Sequence, residues 1–393
     1  MSSPLGENQL IGASGQATGY EIDYSCRFDD DADAYIYRTP GSTGNRRTYT
    51  FSMWLKLGNP KSEQYIFAVG GNNEDGLEVS HGAAGFQWRF ANTNGGVIRF
   101  RGNNRDPAAW QHIVLAVDTT QGTNTNRVKF YHNGIQQSAT GSPQWPSQNY
   151  DSAVNTQVAH RIANNTETQQ DGFFFDGLVS EVHFIDGQAL TAASFGETDE
   201  DYSHWKPIKY AGTYGTNGYF LEFKDIGSGG SNLGIDTSGN GNNWTTTGVD
   251  TGDQMVDTPT NNFCTMNPVH FAYDNTNSGG QISEGNTEFL SGGHGWQSTM
   301  GTLLLPASGK WYYEVCNGQG GLKGVAGFME YGVRSTTGAP LDSSGINSGG
   351  WYGLNGQDRK NGSTVNTWSN WNADGDVVPV SYTHLTLPTN REV

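Results

Sequence analysis

The chain has 393 residues and a formal net charge of −17, with 55 glycines, 12% aromatic residues and 16% charged residues. This length allows two domains with cores of their own, and the aromatic content excludes a disordered composition. The acidity argues against nucleic acid and anionic membranes as partners, because both require a basic protein surface.

The cysteines and the first residues also restrict the class of protein. Cys26, Cys264 and Cys316 are odd in number and far apart, so they predict neither a disulfide framework nor a metal site. Residues 1–18 read as a flexible arm without the basic start and apolar stretch of a signal peptide. We therefore expect a protein made in a reducing cytoplasm, with no segment that spans a membrane.

From Tyr20 onward, runs with a period of two predict β-strands. TYTFSMWLKLG places four apolar side chains on one face: Phe51, Met53, Leu55 and Leu57. QHIVLAVD has apolar residues on both faces, namely Ile113, Leu115 and Val117 on one and Val114 and Ala116 on the other. This second pattern predicts a strand that is covered on both sides.

Turn signals between these runs indicate an antiparallel architecture. Asn133-Gly134 predicts a tight hairpin, since both positions tolerate positive φ. GLVSEVHFIDG reads as a strand in which Glu181 points outward. ALTAASFGE predicts a helix of at most two turns, with Thr191 as N-cap. Many strands without a βαβ rhythm predict an all-β fold of two antiparallel β-sandwiches.

The composition divides the chain into regions. The first sandwich is expected over residues 19–224. Residues 225–268 are rich in Gly, Asn, Ser and Thr, and they predict a connector rather than a core. Strand signals resume at GTLLLP and KWYYEV, so a second β domain is expected over residues 269–379.

Two family resemblances support this division. The succession CRFDDDADAYIYRTP, TFSMWLKLG, AWQHIVLAVD, RVKFYHNG and FDGLVSEVHFIDGQALTAASFGE resembles a laminin-G-like, concanavalin-type jelly roll. GKWYYEV, GVAGFM and WYGLNGQDRKNGS resemble the first half of a SPRY sandwich, whose second half is missing.

A third resemblance concerns function. DYSHWKPIKYAGTYGTNGYFLEFKD followed by DTSGNGNNWT is similar to tail-associated virion proteins of marine bacteriophages. It implies a non-enzymatic structural protein of the virion that binds carbohydrate or protein. The implied partners are other virion proteins and a host-surface glycan, and a homo-oligomer is compatible with this role.

The last residues do not continue the pattern of the chain. VSYTHLTLPT resembles a sequencing adapter translated in one frame, and Asn390, Arg391 and Glu392 fit the index that would follow it. We therefore expect residues 380–393 to be a non-biological tail that interrupts the SPRY-like sandwich. The alternative is a genuine polar tail.

Two other functions are weighed against the virion protein. A laminarinase-like glycoside hydrolase needs paired carboxylates about 5–5.5 Å apart, and two acidic clusters approach its motif. These clusters are Glu21 with Asp23, and Glu197 with Asp199 and Asp201. Their surroundings favour solvated acids instead. A cell-surface adhesin would need an export signal, which the first residues do not contain.

No cofactor is predicted, with calcium as the one open candidate. The acidic run FDDDADAY offers four carboxylates that suit calcium: Asp29, Asp30, Asp31 and Asp33. A solvated acidic turn explains the run equally well. His112 and His183 lie inside alternating strands, so we expect packed or hydrogen-bonded structural residues.

A polar sheet face that could bind a ligand is predicted by the run GFQWRFANTNGGVIRFRG. Its four polar side chains alternate with apolar ones: Gln87, Arg89, Arg99 and Arg101. If Ala91 pairs with Val97, the two inner arginines face each other across the strands. Like charges in that position are unfavourable, so the arrangement indicates an anionic ligand such as an acidic polysaccharide. The alternative is a solvated face whose arginines pair with nearby acids.

Overall fold

The computed structural model divides the chain into two compact units. The first contains Met1–Val269 and Ile282–Phe289, and the second contains His270–Gln281 and Leu290–Val393. The structure describes residues 19–58, 64–70, 75–80, 85–90, 96–100, 106–165, 173–201, 203–273, 281–290, 297–303, 311–316, 325–329, 348–352, 357–360, 363–367 and 377–382. Within these ranges no helix has the length and apolarity that crossing a bilayer requires.

The first unit contains the strands that form the sandwich. They are β1 (Ser25–Phe28), β2 (Tyr35–Arg38), β3 (Thr48–Leu57), β4 (Gln64–Val69), β5 (Gly76–Ser80), β6 (Gly85–Phe90), β7 (Gly96–Phe100), β8 (Gln111–Asp118), β9 (Val128–His132), β10 (Ile135–Gln137), β11 (Ala139–Thr140), β12 (His160–Ile162), β13 (Gly177–Asp186), β14 (Gly196–Thr198), β15 (Trp205–Pro207), β16 (Tyr219–Leu221), β17 (Thr245–Thr247) and β18 (Gln254–Met255). Single 3-10 turns occur at Asn124–Asn126, Ala192–Ser194 and Thr251–Asp253.

Most of these strands form two eight-stranded sheets. The first sheet has the order β10-β9-β8-β3-β13-β1-β18, with β16 also paired to β13. The second sheet has the order β11-β7-β6-β5-β4-β12-β2-β17, and β14 with β15 forms a separate ribbon. The neighbouring strands of both sheets pair antiparallel. The all-β, antiparallel prediction is therefore confirmed.

The inner faces of the two sheets enclose one apolar core, because alternate side chains of each strand point to the same side. From β3 this core receives Tyr49, Phe51, Met53 and Leu55, with Leu57 at its border. From β8 it receives Ile113, Leu115 and Val117. The predicted faces of both strands are confirmed, as is the hairpin, whose Asn133 and Gly134 have φ of 47° and 79°.

The outer face of the first sheet is covered as well. Val114 and Ala116 of β8 pack there with Phe195 and Ile185, which confirms that this strand is buried on both sides. A neighbouring cluster contains Ile22, Trp54, Trp110 and Leu178. The predicted helix after residue 188 is only a 3-10 turn, and the Thr191 side chain forms no capping hydrogen bond.

The segment 225–268 belongs to the first unit, which corrects its prediction as a connector. Strands β17 and β18 lie in it and extend the two sheets by pairing with β2 and β1. Leu233, Trp244 and Val249 are 0%, 4% and 7% exposed and enter the core. The segment is stabilised by side chains that hydrogen bond to its own backbone. A polar composition does not reveal such bonds, so the sequence predicted a connector.

Asp236 shows how such a glycine- and asparagine-rich stretch is ordered. Its carboxylate accepts hydrogen bonds from the backbone N–H groups of Phe220 at 2.9 Å, Ser238 at 2.8 Å and Asn242 at 2.8 Å. These bonds satisfy backbone donors that a loop would otherwise leave to water. Residues 236–242 therefore form a fixed turn against β16.

The remaining strands follow the sandwich in the chain. They are β19 (Met266–Tyr273), β20 (Gln281–Ser283), β21 (Glu288–Leu290), β22 (Gln297–Gly301), β23 (Trp311–Cys316), β24 (Val325–Met329), β25 (Ser348–Tyr352), β26 (Gln357–Lys360), β27 (Ser363–Thr367) and β28 (Val377–Tyr382). They pair as β19-β22, β20-β21, β23-β28 and β24-β25-β26-β27. Residues 380–382 of the predicted non-biological tail lie in β28, and 383–393 lie outside the described residues. The SPRY-like identity of this region stays a prediction.

Candidate functional site

The outer face of the second sheet carries the polar side chains that the sequence singled out. In β5, β6 and β7, the residues Glu78, Gln87 and Arg99 lie side by side, since Glu78 pairs with Gln87 and Gln87 pairs with Arg99. Their neighbours Leu77, Trp88 and Ile98 point into the core. The strands thus place one row of polar groups on the side away from the core.

The register of this hairpin corrects the predicted one. Gln87 lies opposite Arg99, and Arg89 lies opposite Val97, so the two arginines do not face each other. The pairing differs from the expected one by two residues, which keeps every side chain on its predicted face but changes its partner. Arg101 lies outside the described residues.

A buried carboxylate neutralises one of the arginines on this part of the face. Glu78 is 0% exposed. Its Oε1 lies 2.8 Å from Nε of Arg89, and its Oε2 accepts a hydrogen bond from Gln87. The exposed Arg99 donates to Oε1 of Gln87 at 3.2 Å. Arg89 therefore serves mainly to compensate Glu78, as the alternative interpretation expected, whereas Arg99 remains accessible.

Further along the same face, β2 and β12 combine two tyrosines with an arginine. Arg161 pairs with Tyr37 across the strands. The guanidinium carbon of Arg161 lies 5.0 Å from the ring centre of Tyr35, in the range of a cation–π contact. The Tyr35 and Tyr37 rings are 6.1 Å apart, and Tyr37 is 37% exposed. The sheet thus places a cation over Tyr35, whose ring has Tyr37 as its neighbour.

Arg161 forms few other bonds. Its Nη1 donates to the backbone oxygen of Asn165 at 3.0 Å, and its Nε has no hydrogen-bond partner. Within the described ranges no carboxylate forms an ion pair with it. An arginine without an acid beside it retains its capacity to bind an anion.

The acidic run at the turn between β1 and β2 does not form a cation site. Asp29 is buried, and its side chain accepts from the Asp31 backbone N–H at 3.1 Å, while Asp31 and Asp33 are exposed. Among the described residues, no group of three or more His, Cys, Asp or Glu side chains is arranged to hold a metal ion. The run, including Asp30, forms a hydrogen-bonded turn, and the calcium assignment gains no geometric support.

The two acidic clusters weighed for a hydrolase lie at the surface. Glu21 and Asp23 are exposed. Glu197 and Asp199 share one lysine, with Lys206 Nζ 3.4 Å from Glu197 and 3.1 Å from Asp199. Asp201 is exposed and donates its backbone N–H to Asp199. Glu197, Asp199 and Lys206 thus form an ion-pair cluster at the surface of the β14–β15 ribbon.

The two strand histidines are structural, as predicted. His112 lies between Trp54 and Trp205, accepts a hydrogen bond from the Trp205 indole at 3.1 Å, and lies 2.9 Å from the Ser52 hydroxyl. Burial lowers the pKa of His112 to about 3, so the ring is neutral. His183 stacks on Phe220 at 4.2 Å.

Glu181 is buried rather than outward-facing, which corrects its prediction. It is 5% exposed and has a φ of 51° at an irregularity of β13. Its Oε2 accepts a hydrogen bond from the Tyr20 hydroxyl at 3.0 Å and lies 3.5 Å from Nε2 of His183. The irregularity turns a side chain that simple alternation would expose into the covered face.

Sequence reasoning missed the Tyr35, Tyr37 and Arg161 arrangement. The alternation in YIYR places both tyrosines on one face and was a usable signal. Arg161 lies more than 120 residues away in a strand of three residues, His160–Ile162. Its position beside the tyrosines depends on long-range pairing that no local pattern reveals.

Comparison with known proteins agrees with this architecture. Residues 30–194 match the family described as the Concanavalin A-like lectin/glucanases superfamily. No curated protein matches the sequence.

Among solved structures, the chain is similar to a putative carbohydrate binding protein from Bacteroides ovatus, at 18% identity and a TM-score of 0.38. That match covers 58% of this chain and 58% of the other, so the chain spans less than two thirds of that relative. A heptameric SAP-like pentraxin from Limulus polyphemus shares 14% identity over 48% of this chain and 88% of its own, with a TM-score of 0.34. Domain 4 of the arabinanase AbnA from Geobacillus stearothermophilus, in complex with arabinotriose, shares 15% identity over 44% and 79%, with a TM-score of 0.30.

Proposed function

We propose that the first unit binds an anionic glycan on the outer face of its second sheet, and that the chain is a non-enzymatic protein of a virion surface. The observation that carries the glycan proposal is Arg161, which lies beside Tyr35 and Tyr37 without a carboxylate partner among the described residues. Aromatic rings bury the apolar faces of a ligand, and a guanidinium binds carboxylates or sulfates through paired N–H groups.

The charge of the chain supports an anionic ligand. In a protein of net charge −17, a half-buried arginine that has no acid beside it among the described residues is available to an anion. Arg99 adds a second cation on the same face, and this one is exposed. It lies in β7, which is separated from the β2 strand of Tyr37 by five strand-to-strand spacings. Because strands are about 4.8 Å apart, the two lie roughly 24 Å from each other. A chain of several sugars fits this length.

The support for the virion role is the resemblance of DYSHWKPIKYAGTYGTNGYFLEFKD and DTSGNGNNWT to tail-associated phage proteins. Display in many copies would suit such a face, since multivalency converts a weak single contact into strong attachment. The non-enzymatic role is favoured by the Glu197 and Asp199 cluster, whose carboxylates share Lys206 at the surface.

The glycan proposal is tested by affinity electrophoresis in gels that contain an acidic or a neutral polysaccharide. We expect retardation by the acidic polymer alone, and about a tenfold loss of affinity in Arg161→Gln, the effect of losing one charge-assisted contact. Tyr37→Ala should weaken binding by a similar factor. Arg47→Gln is the matched control, because Arg47 is an exposed arginine that already pairs with Asp151 at 2.7 Å.

Unchanged retardation of Arg161→Gln would contradict the proposed site, and no retardation by any acidic polymer would contradict the function. The virion role is tested by sequencing the source DNA across codons 378 to 380 and through the flanking genes. We expect the frame to continue past residue 379 beside genes for tail proteins. Flanking genes for polysaccharide degradation would contradict the virion role.

A further inference from the structure

A lysine, an aspartate and an asparagine meet in the interior of the first unit. Lys56 lies near the end of β3, and Asp257 and Asn262 follow β18. Lys56 Nζ lies 2.7 Å from Oδ2 of Asp257 and 2.8 Å from Oδ1 of Asn262. It also donates to the backbone oxygen of Phe263 at 2.7 Å. The amine of one chain segment thus touches the side-chain amide of another.

This contact is shielded from water. Lys56, Asp257 and Asn262 are 2%, 4% and 3% exposed. The fully buried Trp110 donates its indole N–H to Oδ1 of Asp257 at 2.8 Å. The Asn262 amide is held from its other side, because Nδ2 donates to the backbone oxygen of Ala108 at 2.8 Å. The Lys56 amine and the Asn262 amide are therefore held in place by hydrogen bonds.

We propose that Lys56 and Asn262 become joined by an amide bond that the protein forms by itself, with Asp257 as the proton carrier. The inference is independent of glycan binding. An amine held against a carbonyl group in a dry site is a nucleophile at high effective concentration. A carboxylate next to both supplies the acid–base function that such an attack needs.

The reaction balances without an oxidant or an added reagent. Asp257 takes one proton from the Lys56 ammonium, and the neutral amine attacks Cγ of Asn262. The bond between Nζ and Cγ forms, and the bond between Cγ and Nδ2 breaks. Protonated Asp257 gives its proton to the leaving nitrogen, then takes the second proton that Nζ loses on becoming an amide and passes it to the departing ammonia. The products are the amide cross-link and an ammonium ion, and Asp257 ends as a carboxylate.

Exclusion of water directs this chemistry towards the cross-link. A water molecule at the same carbonyl would convert Asn262 to aspartate instead, and the low exposure of all three side chains disfavours that competitor. The bond would join positions 206 residues apart in sequence. It would fix the segment after β18 to the central strand β3.

The test is mass spectrometry of the full chain, denatured and with its thiols blocked. The cross-link lowers the intact mass by one ammonia molecule. Trypsin should then fail to cut after Lys56 and should release residues 48–61 joined to residues 225–310. Fragmentation of this pair should place the bond on Lys56 and Asn262.

Variants separate the bond from a simple ion pair. Lys56→Arg keeps the cation but removes the nucleophile, so the linked peptide should disappear and the boiled chain should migrate more slowly in a denaturing gel. Asp257→Asn keeps both reacting groups, and we expect the linked peptide to be lost. Lys224→Arg is the control, because Lys224 is an exposed lysine paired with Glu222, and its linked peptide should persist.

The wild-type result decides the proposal even where a variant fails to fold. An intact mass equal to that of the sequence, with separate peptides, would overturn it. So would a loss of ammonia without linked peptides, which indicates ring closure within a single asparagine. Conversion of Asn262 to aspartate would overturn it as well.

Discussion

The two outer faces of the sandwich have the same alternating origin but different environments. On the first sheet, Trp54 and Val114 are buried beneath segments that fold back from later in the chain. On the second sheet, Tyr37 and Arg99 remain exposed. Alternation alone therefore does not decide which face is structural. What decides it is whether later parts of the chain cover the sheet. Such cover makes one face a second core, whereas Tyr37 and Arg99 on the other face stay exposed.

Acid should affect the buried face and the core most strongly. Burial lowers the pKa of His112 to about 3 and that of both His132 and His160 to about 4. Below pH 6.5 the unfolded chain binds protons at these rings and the folded chain does not, so stability falls as the pH falls. By pH 5 each histidine should cost about 2 kcal/mol of unfolding free energy. Urea unfolding between pH 7 and pH 5 measures this, and a flat profile would contradict the neutral, buried state of the rings.

Truncation of Trp54 should have the next largest effect. The side chain is 2% exposed and stacks on His112 with ring centres 4.8 Å apart. Trp54→Ala should lower the unfolding free energy by about 3–5 kcal/mol, the usual cost of removing a buried aromatic side chain. Tyr37→Ala on the other sheet should change it by less than about 0.5 kcal/mol. Equal losses in denaturant unfolding would mean that the two faces are covered to the same degree.

Two arginines should divide the exposed face into a structural and an accessible part. Arg89→Ala leaves the buried carboxylate of Glu78 without its cation and should cost about 2 kcal/mol. Arg99→Ala removes an exposed side chain bonded to Gln87 and should cost less than about 0.5 kcal/mol. The midpoints of thermal unfolding distinguish the two variants. A larger shift for Arg99→Ala would reverse the assignment.

The sequence was sufficient where local chemistry determines structure. The alternation in β3 and β8 predicted which side chains face the core, and Asn133-Gly134 predicted the hairpin, because positive φ at both positions restricts the backbone to that turn. The register of β6 with β7 was not predictable to the residue. It depends on the number of residues that the turn uses, and a change of two preserves every face.

The composition of segment 225–268 predicts a connector because composition reflects hydrophobicity and not hydrogen bonding. Its order depends on Asp236, whose carboxylate binds three backbone donors, and on Trp244, one aromatic residue within a polar stretch. Likewise, the Arg161 and Tyr35 contact brings together residues far apart in sequence. Such pairs depend on which strands become neighbours, and a single sequence contains no direct record of that.

The pairing of β1 with β18 has a mechanical consequence. Ser25 lies opposite Met255, so the chain enters β1 and leaves β18 at the same end of one ribbon. A force that pulls the start of β1 and the end of β18 apart would break the hydrogen bonds between the two strands one after another. A pair of β-strands resists force least in this direction. An amide bond between Lys56 and Asn262 would intercept a pull arriving from residue 263 onward and carry it into β3, the ten-residue strand paired on both sides. The β1–β18 ribbon would then bear no load from that pull, and the segment from β18 to residue 262 could not be extended by it.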